Sequence, residues 1–223
     1  MKGLEIFRNS RVIVTGHTGF KGSWLTAWLK QLGAKVMGIS LDPPTYPSHF
    51  RVSKINLGIK DVRLDIRNKK KLEKKIVNFK PNFIFHLAAQ SLVATSYENP
   101  VLTWDTNVFG SMNILEALRK IRNNCNVVII TSDKCYFNRE VHYGYKETDT
   151  LGGKDPYSSS KASAELLIKS YINSFFHKKY QIRIATARAG NVIGGGDWAK
   201  DRIVVDCMKS WSDNKSVELR SPK

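Results

Sequence analysis

The sequence predicts an α/β fold built on a doubly wound parallel sheet, and three observations lead to this prediction. Short runs rich in Val and Ile alternate with longer helical patterns along most of the chain. Most of these runs are apolar throughout, as strands are when helices cover both faces of a parallel sheet. A glycine-rich turn separates the first run from the first helix, and right-handed crossovers between such elements give a doubly wound sheet.

Strands and helices follow one another in a regular order. The predicted strands are residues 11–15, 35–40, 60–64, 83–88, 127–132 and 183–188. The predicted helices cover about residues 21–32, 68–79, 101–122 and 157–176. A proline-rich loop at residues 42–47 interrupts the alternation after the second strand.

Individual residues predict where some helices begin and end, and which face one of them buries. Pro81 ends the second helix, and Asp155 is suited to cap the fourth, with Pro156 in its first turn. Large apolar residues of the first helix share one face, which predicts that this face packs on the sheet. They are Trp24, Leu25, Trp28, Leu29 and Leu32.

Composition limits the possible partners and the cell compartment. A net charge of +17 suits nucleic acid, an anionic membrane or an anionic small molecule. The densest basic run, residues 67–75, lacks interleaved aromatic residues, so we interpret it as a solvated helix rather than a nucleic-acid site. No apolar run approaches the ~18 residues of a membrane span. Three cysteines without a C-x-x-C or metal-ligand spacing predict a reduced cytoplasmic protein with no metal.

The turn after the first strand reads TGHTGFKG and carries Gly16, Gly19 and Gly22 at a regular spacing. Glycines there allow a tight turn and let the backbone approach a pyrophosphate, and the next helix offers its N-terminal N–H groups. The pattern therefore predicts dinucleotide binding. The ribose of a dinucleotide is usually held by an acid at the end of the second strand, where Asp42 follows two residues after Ser40. No arginine stands beside Asp42 in the chain, which favours NAD over NADP.

Two further positions predict contacts and chemistry at the same edge of the sheet. Asp65 and Ile66 follow the third strand and are candidates for contacts to the adenine. Tyr157 and Lys161 lie four residues apart at a helix start and therefore share one helix face. An ammonium near a phenol is expected to lower the phenol's pKa, and such a tyrosine can take a proton from a sugar hydroxyl.

With these motifs, the chain resembles the extended short-chain dehydrogenase/reductase superfamily. The matching segments are TGHTGFKG, HLAAQ at 86–90, Ser132 and YSSSK at 157–161. Within the superfamily it is most similar to the nucleotide-sugar 4,6-dehydratases, and among these to the branch acting on CDP-glucose. That likeness rests on TGHTGFKGSW, LDPPT, HLAAQSLV, TSDKCY and RAGNVIGGGDWAKDRIVVD.

The resemblance implies a Rossmann domain that holds NAD, here residues 1–188, with Ser132, Tyr157 and Lys161 as catalytic residues. Family members continue well beyond Lys223, so residues 189–223 are expected to form the incomplete start of a smaller substrate-binding region. The implied cofactor contacts beyond the glycines, Asp42, Asp65 and Ile66 are Thr18, Phe20, Lys21, Leu87, Ala88, Ala89, Gln90, Thr106, Tyr157 and Lys161. The implied substrate contacts are Ser91, Ser132, Asn191 and Arg202.

Asp133 and Lys134 follow the fifth strand, where the resemblance places the groups that eliminate water. Asp133 would be the general acid that protonates the leaving 6-hydroxyl. Lys134 stands where other dehydratases have the glutamate that removes the C5 proton. A lysine acts as a base only when burial or nearby cations lower its pKa, so Lys134 is alternatively expected to position a carboxylate or a water.

The resemblance thus implies conversion of CDP-glucose to CDP-4-keto-6-deoxyglucose, a step of deoxysugar biosynthesis such as that of the lipopolysaccharide O-antigen. It also implies a homodimer packed through the helices at 101–122 and 157–176. Two alternatives stay open. One is another nucleotide-sugar dehydratase or an epimerase, which a panel of nucleotide sugars would separate. The other is a catalytically inactive NAD-binding fragment, basic enough to hold nucleic acid.

Overall fold

The computed structural model describes residues 3–178 and 181–219, and a six-stranded sheet forms its centre. The strands are β1 (Arg11–Thr15), β2 (Lys35–Ser40), β3 (Lys60–Arg63), β4 (Phe83–His86), β5 (Cys125–Ile130) and β6 (Ile182–Ala187). Each predicted strand is present, and the boundaries differ by two residues at most. The fifth strand ends at Ile130, so Thr131 and Ser132 lie beyond it.

The sheet is parallel throughout and has the strand order β3-β2-β1-β4-β5-β6. This is the order of a doubly wound Rossmann sheet, and it confirms the predicted fold class. The order reverses between β1 and β4, and ligands of such sheets bind in the crevice beyond the strands' carboxyl ends at that place.

Eight α-helices connect or follow these strands within the described residues. They are α1 (Phe20–Gln31), α2 (His49–Val52), α3 (Lys69–Phe79), α4 (Val93–Glu98), α5 (Pro100–Trp104), α6 (Gly110–Lys120), α7 (Pro156–Tyr171) and α8 (Ile203–Ser212). The long helix predicted at 101–122 is α5 and α6 joined by a π-helical turn, Asp105–Phe109. The short helices α2 and α4 escaped prediction because four to six residues carry too little periodicity. No helix in the described ranges is long and apolar enough to cross a membrane.

Asp155 caps α7 as predicted, accepting a hydrogen bond from the Ser158 backbone N–H at 2.9 Å. Pro156 occupies the first turn of the helix, where its missing N–H costs nothing. The cap fixes the start of α7 and thereby the direction in which Tyr157 and Lys161 project.

The prediction that the apolar face of α1 is buried is wrong for its two tryptophans. Trp24 and Trp28 are about half exposed, whereas Gly22, Ser23 and Thr26 are buried. A Cβ on Gly22 would overlap the carbonyl oxygen of Gly16 in the turn before the helix. The helix therefore approaches the glycine turn so closely that only small residues fit between them, and the large side chains lie outside.

Two apolar clusters cover the two faces of the sheet. The larger joins the sheet to α3, α6 and α7, with Leu72, Ile76 and Ile114 fully buried. The smaller packs Leu29 of α1 against Val12 and other strand residues. Each such side chain stabilises the fold by roughly 1.5–3 kcal/mol when fully buried. Helices packed on both faces of the sheet therefore hold in place the strand ends at which the site forms.

Candidate active site

One cavity of about 510 Å³ lies at the carboxyl ends of the strands. All the catalytic, cofactor and substrate candidates from the sequence line it, from Gly16 in the first turn to Arg202 before α8. The parallel sheet accounts for this gathering, because segments distant in the chain meet where neighbouring strands end.

The glycine turn at the floor of this cavity has the geometry of a phosphate cradle. Gly16 has a φ of +75°, and a Cβ there would lie 2.8 Å from the Ala88 backbone nitrogen after β4. Gly19 is the N-cap residue of α1 and has no side chain to cap the helix. The first N–H groups of α1 therefore remain available to an anion, with the positive end of the helix dipole behind them. These residues fit the pyrophosphate of a dinucleotide.

The end of β2 carries the groups that would surround the adenosine ribose. The Thr18 and Ser40 hydroxyls lie 2.8 Å apart, and the Thr18 hydroxyl donates to the Leu41 carbonyl at 3.0 Å. The Asp42 side chain is 84% exposed on the cavity rim, and Arg63 Nε lies 3.6 Å from its Oδ1. Sequence reasoning found no arginine beside Asp42 because Arg63 comes from β3, where it is paired in register with Ser40.

Asp65 and Ile66 stand at the end of the cavity that was predicted to hold the adenine. Asp65 is bound by Arg67 through short contacts, the closest being 2.6 Å, and this guanidinium lowers the pKa of Asp65. Ile66 is buried against the position of Gly110, where a Cβ would be 2.5 Å from the Ile66 side chain. Ile66 is therefore partly a core residue and Asp65 partly an ion-pair partner, although both line the cavity.

The predicted catalytic residues meet at the ends of β5 and α7. Ser132, Tyr157 and Lys161 are all less than a tenth exposed. The Ser132 hydroxyl donates to Asp133 Oδ1 at 3.1 Å, and Ser132 also acts to lower the pKa of the neighbouring Tyr157 phenol. A hydroxyl, a carboxyl and a phenol thus lie side by side on one wall of the cavity.

The expectation of a lowered pKa for Tyr157 is wrong in this structure. Burial raises the pKa of this phenol, while the Ser132 hydrogen bond and the Arg202 charge act against the increase. Lys161 points elsewhere, with Nζ 3.5 Å from the Ile130 carbonyl oxygen. Burial first, and then the nearby Lys21 charge, lower the pKa of Lys161 to about 8.

Asp133 and Lys134 differ from their neighbours because both are exposed to the cavity or solvent. They form a short 3₁₀ turn with Cys135, and the Lys134 N–H donates to the Ser132 hydroxyl oxygen at 3.2 Å. The described residues do not bury the Lys134 ammonium.

Comparisons with known proteins place the chain in a family. It matches the family described as GDP-mannose 4,6 dehydratase over residues 13–196. The chain belongs to the GDP-mannose 4,6 dehydratase family. A CDP-glucose 4,6-dehydratase of Salmonella typhimurium is 49% identical over 98% of this chain and 62% of its own length. A CDP-paratose 2-epimerase of Salmonella typhi is 29% identical over 95% of this chain and 65% of its own length.

A solved structure shares the fold of this member of the GDP-mannose 4,6 dehydratase family. It is a Thermus thermophilus UDP-glucose 4-epimerase in complex with NAD, with a TM-score of 0.70 and 28% identity. The match covers 86% of this chain and 58% of that one. The chain therefore spans about 60% of the length of these relatives.

A buried carboxylate behind the predicted catalytic residues was missed from the sequence. Glu165 Oε1 accepts a 2.5 Å hydrogen bond from Thr131, and its Oε2 lies 3.1 Å from both Thr186 and Arg188. The Arg188 guanidinium also lies 4.8 Å from the centre of the Tyr136 ring. Glu165 stands four residues after Lys161 on α7, and that spacing was the available signal.

His17, inside the glycine turn, was also missed. Its ring is fully buried beneath Gly38 of β2, and Nε2 lies 2.9 Å from Asp61 Oδ1 on β3. Burial lowers the pKa of His17 more than the Asp61 carboxylate raises it. The contact ties the glycine turn to the edge of the sheet across an intervening strand.

The last cavity wall comes from the segment after β6 in this family member. The Trp24 indole N–H donates to the Gly195 carbonyl at 2.9 Å, and its ring stacks on His49 at 4.3 Å. This contact holds the glycine-rich segment against α1. Asn191 and Arg202 line the cavity on either side of that segment, and Arg202 Nε is buried without a hydrogen-bond partner among the described residues.

Proposed function

We propose that the chain is the greater part of a nucleotide-sugar 4,6-dehydratase that converts CDP-glucose to CDP-4-keto-6-deoxyglucose. The carboxyl of Asp133 beside the Ser132 hydroxyl and the Tyr157 phenol carries this proposal. Oxidation at C4 alone, as in an epimerase, needs the serine and tyrosine but no acid for water loss. The 49% identity to a CDP-glucose 4,6-dehydratase supports both the reaction and CDP as the nucleotide.

The cofactor is proposed to be NAD, held by the glycine turn, by the residues beyond β2 and β3, and by Leu87, Ala88, Ala89, Gln90 and Thr106. When bound, NAD supplies a reversible hydride acceptor for the sugar. The uncapped start of α1 supports the pyrophosphate position. The relative from Thermus thermophilus, solved with NAD, supports the cofactor's identity.

Each catalytic side chain has a proton or an orientation to control. Ser132 orients the 4-hydroxyl, and Tyr157 takes its proton. Tyr157 must be a phenolate to take that proton, and because burial raises its pKa, the nearby Arg202 charge and the Ser132 hydroxyl are proposed to favour the phenolate before the sugar is oxidised. The resulting 4-keto group acidifies C5–H, whose proton passes to a water held at C5, and Asp133 protonates the departing 6-hydroxyl. Return to C6 of the hydride taken from C4 completes the product without net reduction of the cofactor. Lys134, exposed on the cavity wall, is proposed to position a carboxylate or the water at C5.

Cations on the cavity wall suit an anionic nucleotide sugar. Arg202 has a buried Nε without a partner, and a guanidinium is well shaped for a pyrophosphate. Burial and the nearby Arg202 charge lower the pKa of Lys21, so a bound pyrophosphate would relieve the repulsion between these two cations. Asn191 and Ser91 are proposed as neutral contacts to the phosphates and the sugar.

We test the function by incubating the chain with NAD and CDP-glucose and following the sugar nucleotide by mass spectrometry. The expected result is loss of one water without net formation of NADH. A Tyr157→Phe variant serves as the control and should give no product. Loss of water from dTDP-, GDP- or UDP-glucose in preference to CDP-glucose would show that the enzyme uses a different nucleotide. Epimerisation without water loss would refute the proposed dehydratase activity.

The protein is further proposed to act as a homodimer in the cytoplasm, in deoxysugar biosynthesis such as that of the O-antigen. Exposed apolar residues on α5, on α7 and on the π turn between α5 and α6 support the dimer: Val101, Phe109 and Leu166 are each more than half exposed. Cys125, Cys135 and Cys207 are free thiols, which supports a reducing compartment.

A further inference from the structure

We propose that Arg188 and Tyr136 are positioning residues for the elimination of water, because together they hold the turn that carries Asp133. The inference deepens the proposed function and rests on it. It separates the two halves of the reaction: the contacts of Arg188 control the protonation of the leaving 6-hydroxyl by Asp133, whereas the preceding oxidation at C4 does not depend on them.

The segment directly after β6 contacts the turn Asp133–Cys135 at both of its ends. At the start, the Asp133 N–H donates to the carbonyl of Ala189 at 3.1 Å. At the end, the Tyr136 ring lies against the Arg188 guanidinium, with 4.8 Å between Cζ and the ring centre. Two consecutive residues, 188 and 189, therefore fix where the turn begins and where it ends.

Arg188 is itself held by other partners, and its side chain is 14% exposed. Its Nη2 lies 3.1 Å from Glu165 Oε2 on α7, and its Nη1 donates to the Glu147 carbonyl at 3.3 Å. Tyr136 in turn stacks on Tyr145, with 5.0 Å between the ring centres. A planar guanidinium can bind a carboxylate and a carbonyl through its edge and still present a face to an aromatic ring, which a lysine ammonium cannot do.

The side chains of the two chemical steps depend on these contacts to different degrees. Tyr157 stands in the first turn of α7, whose start has its own capping box. Ser132 follows Thr131, whose hydroxyl donates to Glu165 on the same helix. Asp133 is exposed and is the first residue of the turn, so its position depends on the contacts that fix the turn. Disturbing the contacts after β6 should therefore displace the acid while the residues that oxidise C4 stay in place.

The experiment follows both steps in one reaction of the intact chain with NAD and CDP-glucose. Stopped-flow absorbance measures the NADH formed by oxidation at C4, and rapid quenching with mass spectrometry measures the loss of water. Arg188→Lys keeps a cation beside Glu165 but removes the planar face against Tyr136. NADH should form at the wild-type rate, while water loss slows by about 10- to 100-fold, since misplacing a catalytic group by about 1 Å costs up to about 100-fold. NADH should therefore accumulate in the variant.

A second variant reaches the same contact from its other side. Tyr136→Leu removes the ring but leaves the pair of Arg188 and Glu165 intact, and it should also accumulate NADH. Arg183→Lys makes the same chemical change as Arg188→Lys at an exposed position near the start of β6 and should behave as wild type. Circular dichroism melts check that each variant is folded.

The outcomes distinguish this inference from the proposed function. Equal slowing of both steps in folded Arg188→Lys, or wild-type water loss in either variant, would overturn the inference alone, because dehydration by the wild-type chain would still support the proposed function. If the wild-type chain eliminated no water, the proposed function would fail and the inference with it.

Discussion

Asp133 is the residue on which the proposed reaction class depends. Asp133→Asn keeps the size of the side chain and its contact with Ser132 but cannot donate the acidic proton. We expect dehydration to slow by about 100-fold or more, the usual contribution of a general acid, while the first oxidation proceeds. Stopped-flow absorbance of NADH, read beside the mass of the sugar product, separates the two steps. Normal turnover by this variant would remove Asp133 from the mechanism.

Lys161 illustrates a conflict between stability and function at a single residue. Because burial lowers its folded-state pKa from 10.5 to about 8, keeping the ammonium charged below pH 8 destabilises the fold by about 3 kcal/mol. That penalty is fully present at pH 7 and disappears as the pH rises from about 8 to about 10.5. Lys161→Met should therefore be inactive but more stable at pH 7.

Urea unfolding of both proteins at several pH values measures this difference. The advantage of Lys161→Met over wild type should shrink steadily above pH 8. An advantage independent of pH would mean that the methionine simply packs better. A less stable variant would contradict the destabilising burial of the ammonium.

Residues close in the chain were predictable from sequence, whereas pairs formed across the sheet were not. The spacing of Tyr157 and Lys161 predicted a shared helix face, and both line the cavity. The approach of Arg63 to Asp42 depends on the register between β2 and β3, which no local pattern specifies. The raised pKa of Tyr157 was likewise missed, since burial is a property of the packed structure.

At the scale of elements, Glu165 joins α7 to the ends of β5 and β6. It accepts hydrogen bonds from Thr131, Thr186 and Arg188 while only 6% exposed. Glu165→Gln leaves the Arg188 guanidinium without its charged partner, and breaking such a buried pair costs roughly 3–5 kcal/mol. We expect a corresponding loss in the free energy of unfolding, measured with urea.

Glu98→Gln makes the same chemical change at an exposed position of α4 and should leave stability nearly unchanged. A small loss in Glu165→Gln, comparable to this control, would mean that the three donors find other partners. Because Thr131 precedes Ser132 directly, the variant should also show a lower kcat with KM little changed.

The ends of a helix were predictable where a single residue determines them, whereas the buried face of a helix was predicted less well. Asp155 and Pro156 fixed the start of α7, as expected from capping chemistry. The apolar periodicity of α1 suggested a buried tryptophan face, but the close approach of Gly22 to Gly16 turns Trp24 outward. Steric limits at a glycine contact outweigh the gain from burying a large ring at that point.

At the scale of the whole molecule, the doubly wound architecture followed from the alternation of apolar strands and helices. That pattern is distributed over the entire sheet, so errors at single boundaries did not affect it. The cavity followed too, because a parallel sheet of this order brings its strand ends to one edge. The association of two such molecules depends instead on the surface, and among the described residues it is the exposed apolar side chains that indicate an interface.

Leu166 tests the proposed dimer, since it is 57% exposed on α7, and α5 and α6 pack against that helix. Leu57 is equally exposed, at 57%, but follows α2 and contacts Lys30 of α1 through its carbonyl. Leu166→Glu places a charge in the proposed interface and should give a monomer, whereas Leu57→Glu should remain a dimer. Size-exclusion chromatography with light scattering measures the mass directly. Burying an unpaired carboxylate among apolar side chains is prohibitively costly. A dimer that persists in Leu166→Glu, or a monomeric wild type, would therefore show that these helices do not form the interface.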